Sequence, residues 1–519
     1  RTDLEERLAE IWARVLSLDT VSVVDSFFDL GGDSLRAVAL VGALRVAGFP
    51  VGVRDVFVHR TVATLAAHLA AKETATAEPE FQAVAPFALL DDADRAALPA
   101  GLADAYPIAQ AQLGMLVEIQ KDPDRSLYHI VRCFRVHSRQ PFSAEALTGA
   151  VRDVVHRHET LRTSFDLGGY SVPLQLVHTE APVDVRIMQL DEEQADAQLR
   201  GHVDAERARP FDPEHPAPLL RVSVHVAADG SWWLTVAVSH LVTGGWDLNS
   251  LLAELLGCYE RRCVGMAPES PEPVAVRYAD FVAAERAALA SPADEAYWRK
   301  ITSGYAKFTP PAGWGEPAGA AGAALRHRIS YQDLDQRVRA LASAYEVSPK
   351  AVLHAAHLKV MSQLTDEQRF HSGLVCDARP EVRGAERVHG MYINILPFGF
   401  ARGARTWREL VRSVFDREVE LWPHRRYPLP AVRRLTGVDA HPIDVVFDYT
   451  EFRRANADSE EQVGFEAVAG EGGTEFALQV TAASGFLDLV GDARVFDGAG
   501  LARLAGMFRS VVEAMVADP

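Results

Sequence analysis

At 519 residues, with 48% hydrophobic and 24% charged side chains, the chain is too long for one ordinary core and is expected to form roughly two to four globular domains. Its 53 basic against 71 acidic residues leave a net charge of −18, which argues against a nucleic-acid partner. No apolar run reaches the roughly 20 residues of a membrane span, and Arg1-Thr2-Asp3-Leu4 has no apolar signal core, so no membrane partner is expected. Cys133, Cys258, Cys263 and Cys376 are too few and too scattered for a disulfide frame or a metal site, which fits a reducing cytoplasm. The start lacks a Met, so the chain is expected to be a segment of a longer polypeptide.

Thr2-x-x-Glu5 predicts a capped helix start. Leu4, Leu8, Ile11, Trp12, Val15 and Leu16 then fall on one helical face. The run Asp25-Ser26-Phe27-Phe28-Asp29-Leu30-Gly31-Gly32-Asp33-Ser34-Leu35 follows. Its Gly-Gly turn delivers Ser34 to the mouth of a second helix, where free backbone N–H groups can hold a phosphate. Thr61 caps a last helix with Val62, Leu65, Ala66 and Leu69 on one stripe. Residues 1–70 are therefore expected to be a small all-α bundle. Residues 71–86 hold few large apolar side chains and read as a tether.

Beyond the tether, helices and strands alternate, with one α/β half over 87–273 and a second over 274–519. Leu219 to Val226 reads as a strand, Ala228-Asp229-Gly230-Ser231 as a hairpin turn, and Trp232 to Ser239 as the partner strand. A glycine turn and a helix over Leu248 to Arg261 follow. The small-residue run from Gly315 to Gly322 reads as a surface loop.

The best candidate site is Val238-Ser239-His240-Leu241-Val242-Thr243-Gly244-Gly245-Trp246. A histidine at a strand end before a Gly-Gly turn suits a general base, although a hydrogen-bonded structural histidine is the plainer reading. Ser239 and His240 cannot form a nucleophile pair, because neighbours on a strand face opposite sides. A hydrolase elbow, Gly-x-Ser-x-Gly, is also absent. His156-x-His158 lacks supporting ligand spacing, and no metal is expected.

Seven motifs in order carry a resemblance. They are Tyr106 to Leu116, Arg157-His-Glu-Thr-Leu-Arg-Thr-Ser-Phe165, Ser239 to Gly245, Tyr278-Ala-Asp-Phe281, His389-Gly-Met-Tyr-Ile-Asn-Ile-Leu-Pro397, His424 to Leu429, and Phe447-Asp-Tyr-Thr450. With the Ser34 motif, they resemble a peptidyl carrier protein followed by a condensation domain of non-ribosomal peptide synthetases. The resemblance implies a multidomain chain, with a small all-α carrier bundle ahead of an α/β condensation domain. That domain would be a V of two chloramphenicol-acetyltransferase-like lobes with the active site at their junction.

The same resemblance implies 4′-phosphopantetheine on Ser34 and amide-bond formation between a donor thioester and the amine of a downstream aminoacyl carrier protein. An upstream adenylation domain and a phosphopantetheinyl transferase are the other implied partners. With no epimerase between carrier and condensation domain, it further implies an L-type donor.

The motif Ser239 to Gly245 stands in the place of HHxxxDG, so the resemblance gives His240 the central role, as base or as positioner, with Gly245 beside it. Ser239 replaces the first histidine, and Gly244 replaces an aspartate that the family pairs with an arginine matched by Arg162. Arg162 is thus expected to need another partner. Gly244 can be an adaptation to substrate, an introduced substitution, or a mark of lost activity. Trp246, Tyr392 and Asn394 are expected near the site. An epimerase and a non-catalytic recruitment domain on the same fold are the rival functions.

Overall fold

The computed structural model describes residues 2–32, 34–71, 83–121, 128–138, 140–215, 218–266, 276–311, 324–436, 443–450, 464–469, 476–483 and 485–518. Most of the expected tether and the loop from Gly315 to Gly322 lie outside these residues. Four helices open the chain: α1 (Asp3–Leu16), α2 (Ser34–Val46), α3 (Val53–Val58) and α4 (Val62–Ala71). The expected capping box is formed, with the Glu5 amide donating to Thr2 Oγ1 and the Thr2 amide to Glu5 Oε2. Thr61 Oγ1 likewise accepts from the Thr64 amide at the start of α4. Helix α3 had no sequence counterpart; at six residues it is too short to show a periodic face.

The Gly-Gly turn is required by packing. Gly31 has φ of 89°, and a Cβ on Gly32 would sit 2.4 Å from the Phe27 ring. Phe27 is fully buried and meets Trp12 edge to face at 5.5 Å, so the bundle core fixes the turn that precedes Ser34.

Two principal sheets follow. The first has five strands in the order Gly464–Ala469, His129–His137, Trp232–Ser239, Leu220–Val226, Val185–Gln189. Its period-2 pattern separates two cores. Phe134, Val136, Leu234, Val236 and Val238 pack under helices Ala144–Arg157 and Gly245–Cys263, while Val131, Cys133 and Ala237 meet Leu199 and Val203 of helix Ala195–Arg207. The hairpin expected at Asp229-Gly230 is present, with Gly230 at φ of 85°. A division at 273/274 assigns the edge strand 464–469 of this first sheet to the later stretch of chain. A smaller sheet joins Leu102–Pro107, Leu174–His178 and Thr163–Asp166.

The second principal sheet has seven strands. Six run in the order Ile393–Ala401, Arg369–Asp377, Val445–Tyr449, Leu478–Ala483, Phe486–Asp492, Ala324–Ser330, and Ala306–Lys307 also pairs with Arg369–Asp377. Helix Pro349–Ser362 is buried on nearly every side and packs among Gln332–Tyr345, Trp407–Leu421 and Gly498–Ala517. The four cysteines are free thiols.

The helical bundle packs directly on the second half. Phe28 meets Phe415 at 6.2 Å and Phe57 meets Trp422 at 5.4 Å, both edge to face. Arg45 reaches Glu381 at 3.4 Å, Arg60 reaches Glu346 at 2.6 Å, and Ser343 Oγ donates to Asp29 at 2.9 Å. Helix α2 approaches so closely at Gly42 that an added Cβ would lie 2.3 Å from the Arg383 amide nitrogen.

Candidate active site

His240 follows the strand Trp232–Ser239 directly, and its amide donates to Tyr128 O at 2.7 Å. Ser239 points its hydroxyl into the turn, where it accepts from the Leu241 amide at 3.2 Å. The two neighbours therefore do separate jobs, as strand alternation requires. Gln112, from the first motif, grips the same turn by donating to Leu241 O at 2.6 Å.

The His240 ring is half-buried. Its Nδ1 is 3.0 Å from Thr243 O. A carbonyl can only accept, so Nδ1 carries the proton and Nε2 keeps its lone pair. Burial pushes the imidazole pKa below its ordinary value; the Thr243 carbonyl opposes that shift and Arg132 adds to it. The shift favours the uncharged ring at neutral pH. Among the described residues none hydrogen-bonds its Nε2, which is the arrangement a base or an amine acceptor needs.

Gly244 is the N-cap of the helix Gly245–Cys263, and Gly245 and Trp246 open that helix. The Gly245 and Trp246 side positions lie outside the described residues. At Gly244 a Cβ would lie 3.3 Å from Ile393 Cδ1 and 3.6 Å from Asp247 Oδ2.

Arg162 does find other partners. It donates through Nε to His156 O at 3.2 Å and through Nη1 to His178 O. The buried ion pair at the motif turn is made instead by Asp247 and Arg379, 2.6 Å apart and both almost wholly inaccessible. The Arg379 guanidinium also lies 4.3 Å over the Tyr392 ring. Burial would lower its pKa, but Asp247 and Asp377 hold it above the ordinary arginine value.

The other fifth-motif residue, Asn394, braces the backbone. Its Nδ2 donates to Arg425 O and Tyr427 O, each at 2.9 Å, and its Oδ1 accepts from the Leu429 amide at 3.2 Å. Tyr392 is a buried platform, edge to face with Tyr278 at 5.2 Å.

Glu254 lies seven residues beyond Asp247 on the same helix. It accepts from Arg157 Nη1 and His158 Nε2 at 2.5 and 2.9 Å, and His389 Nε2 lies 3.8 Å away. Burial would raise its pKa, but those hydrogen bonds hold the carboxylate ionised well below the usual range. His158, Glu254 and His389 bring ligand-type atoms within 4.8 Å of one another, but Arg157 already neutralises the carboxylate.

Asp247, Glu254 and Arg379 were not singled out in the sequence. The available signal was two acidic residues two turns apart beside the apolar stripe of Leu248, Leu251, Leu252 and Leu255.

Ser34 is the first residue of the 13-residue helix α2. Its first-turn amides have no partner within the helix, and the preceding turn is wedged against Phe27, so the backbone fits a phosphodiester at this point.

Comparison with known proteins identifies the class that this fold and site define. A condensation-domain model matches residues 102–519, and a phosphopantetheine attachment-site model matches residues 6–69. The chain belongs to the condensation-domain family, with a phosphopantetheine attachment domain ahead of it: the carrier and condensation parts of a non-ribosomal peptide synthetase.

The AMB antimetabolite synthetase AmbE of Pseudomonas aeruginosa is 36% identical over 463 residues, covering 87% of this chain and 21% of the relative. Malpinin synthetase of Mortierella alpina is 29% identical over 460 residues, covering 84% of this chain and 6% of the relative. The chain thus spans about a fifth or less of these relatives' length. The condensation domain of the Monacolin K polyketide synthase MokA superposes with a TM-score of 0.68 at 18% identity, over 81% of this chain and 99% of that one. It shares the two-lobed α/β fold. No described helix is long and apolar enough to cross a membrane.

Proposed function

We propose that residues 1–70 are a donor peptidyl carrier, tethered by residues 71–86 to a condensation domain with lobes at 87–273 and 274–519, and that this domain forms an amide bond. The observation that carries the reading is His240. Its pKa is lowered by burial, its Nδ1 sits on Thr243 O, and no described residue hydrogen-bonds its Nε2. Phosphopantetheine on Ser34 would present the donor acyl group as a thioester.

His240 Nε2 accepts a hydrogen bond from the acceptor amine, aims the nitrogen lone pair at the donor carbonyl carbon, and takes the proton released as the C–N bond forms. Gln112 and Ser239 hold the turn that sets the ring's position. The C–S bond breaks, the thiolate takes that proton from His240 and leaves as thiol, and the elongated acyl chain passes to the downstream carrier.

Gly244 costs this site little, because the buried arginine beside the turn already has a carboxylate partner in Asp247. That argues for retained activity. An epimerase would need an acid–base carboxylate beside His240, and the motif position for one is Gly244.

The test is single turnover. Ser34 is loaded with an acyl-pantetheine donor and an aminoacyl carrier is supplied. Elongated product supports the reading, racemised donor supports epimerisation, and neither supports recruitment. His240→Ala is expected to lose most turnover, and Ser34→Ala to gain no pantetheine mass with a phosphopantetheinyl transferase. Full activity in the first variant would defeat the catalytic assignment.

A further inference from the structure

We infer that Asp247 is a positioning residue that has taken over the work of the carboxylate missing at Gly244, one helical turn further along the chain. The inference rests on the condensation reading above. Asp247 is the third residue of the helix Gly245–Cys263, and its side chain turns back toward the helix mouth. Its Oδ2 accepts from the amide of Gly244 at 3.4 Å and from the amide of Gly390 at 3.4 Å. Its Oδ1 accepts from Arg379 Nη2 at 2.6 Å. One carboxylate therefore ties the His240 turn to the 379–390 segment of the second half.

The consequence for chemistry follows through the backbone. Thr243 O fixes Nδ1 of His240, and the next residue, Gly244, is held through its amide by Asp247. Releasing that amide loosens the carbonyl that selects the imidazole tautomer. Asp247 does not touch the reacting atoms; it sets which histidine nitrogen faces them.

Sterics and charge explain why the change is a relocation. A Cβ at residue 244 would lie 3.6 Å from Asp247 Oδ2, so an aspartate there would crowd a further carboxylate against Asp247, where Arg379 already pairs with Asp247 and Asp377. Like charges at that range disfavour each other's ionised form. The site favours a carboxylate from residue 244 or from residue 247 over one from both. Arg379 also explains why Arg162 can spend its donors on backbone carbonyls.

The test is a relocation cycle on the full carrier-loaded chain: Asp247→Ser, Gly244→Asp, and Gly244→Asp/Asp247→Ser. Single-turnover amide formation is read alongside two signals that do not need turnover. These are the tautomer fraction of His240 from its imidazole nitrogen shifts, and hydrogen exchange at the Gly244 amide. Each single variant is expected to fall by about 10- to 100-fold in turnover, with a mixed tautomer and faster exchange in Asp247→Ser. The double variant is expected to return to within about tenfold of the parent and to recover the single tautomer.

A double variant no better than Asp247→Ser in turnover and tautomer would overturn the inference. If Asp247→Ser does not fold, the near-isosteric Asp247→Asn decides: unchanged turnover and tautomer would equally overturn it. A parent chain that forms no amide sinks the condensation reading, while the tautomer and exchange cycle still decides the role of Asp247.

Discussion

Replacing Gly42 with alanine should separate carrier docking from carrier folding, because the two respond with opposite sign. Inside α2 the change removes a helix-interior glycine and is worth about 0.5–1 kcal/mol of added helix stability. Against the condensation domain it places a methyl group 2.3 Å from Arg383 N, 2.5 Å from Val382 C and 2.9 Å from Arg383 Cα. All three are backbone atoms, so no side chain can rotate away. Ordinary contact begins near 3.4 Å, so α2 must retreat by about 1 Å. That retreat loosens Phe28 on Phe415 and Phe57 on Trp422, and overpacking of this kind costs about 1–3 kcal/mol.

The docking equilibrium constant should therefore fall about 5- to 150-fold while the carrier itself becomes no less stable. Hydrogen exchange followed by mass spectrometry reads both effects at once. Protection should drop across 415–422 and persist within α1, α2 and α4. Single-turnover transfer should slow in proportion to the lost docking. Unchanged protection at 415–422 with unchanged transfer would refute the close approach at Gly42 as a working contact, and loss of protection inside α1 would refute the claimed separation.

Two pH effects follow from the histidines. Burial lowers the pKa of His240, so the rate should rise with pH through a value below about 6.5 and stay flat above it, as far as His240 is concerned. A limb rising only above neutrality in the acceptor-loaded complex would remove His240 as the titrating group. Stability should fall with acid for a different reason. Burial holds His357 at about 3, His371 at about 4 and His354 well below its ordinary value. Between those values and the unfolded value near about 6.5, the unfolded chain binds more protons, so acid favours unfolding. The loss is about 1.4 kcal/mol per pH unit per histidine, and denaturation midpoints at about pH 7 and about pH 5 check it. Equal midpoints would show these rings are not buried neutral.

What the sequence revealed and what it concealed divide by distance along the chain. Ser34 at a helix mouth, the Asp229-Gly230 hairpin and the histidine at a strand end each depend on a few adjacent residues, where turn chemistry and alternation act directly. The order of the seven motifs carried the two-lobed fold. Asp247 with Arg379 is a different case, because the partners are 132 residues apart and no local rule pairs them. The expectation that Arg162 would be left short of a carboxylate was sound as chemistry, but it could not see that a second arginine held the buried pair. The edge strand 464–469 and the docking face of α2 were hidden for the same reason: each is defined by what it meets.

These hidden contacts converge on one short segment. Glu381 takes Arg45 from the carrier, and also Arg425 at 3.0 Å and Trp422 Nε1 at 3.2 Å. Arg425, itself buried, donates onward to Asp377 O and Arg379 O. Two residues before Glu381, Arg379 clasps Asp247, whose other oxygen holds the His240 turn. One residue beyond Glu381 begins the Val382-Arg383 backbone on which Gly42 rests. The carrier's footprint and the carboxylate clamp are therefore successive contacts of a single braced stretch, 377–383. A perturbation at Gly42 has a short covalent path to Arg379, whereas one at Arg162 disturbs the His156 and His178 carbonyls and the nearby Glu159 carboxylate.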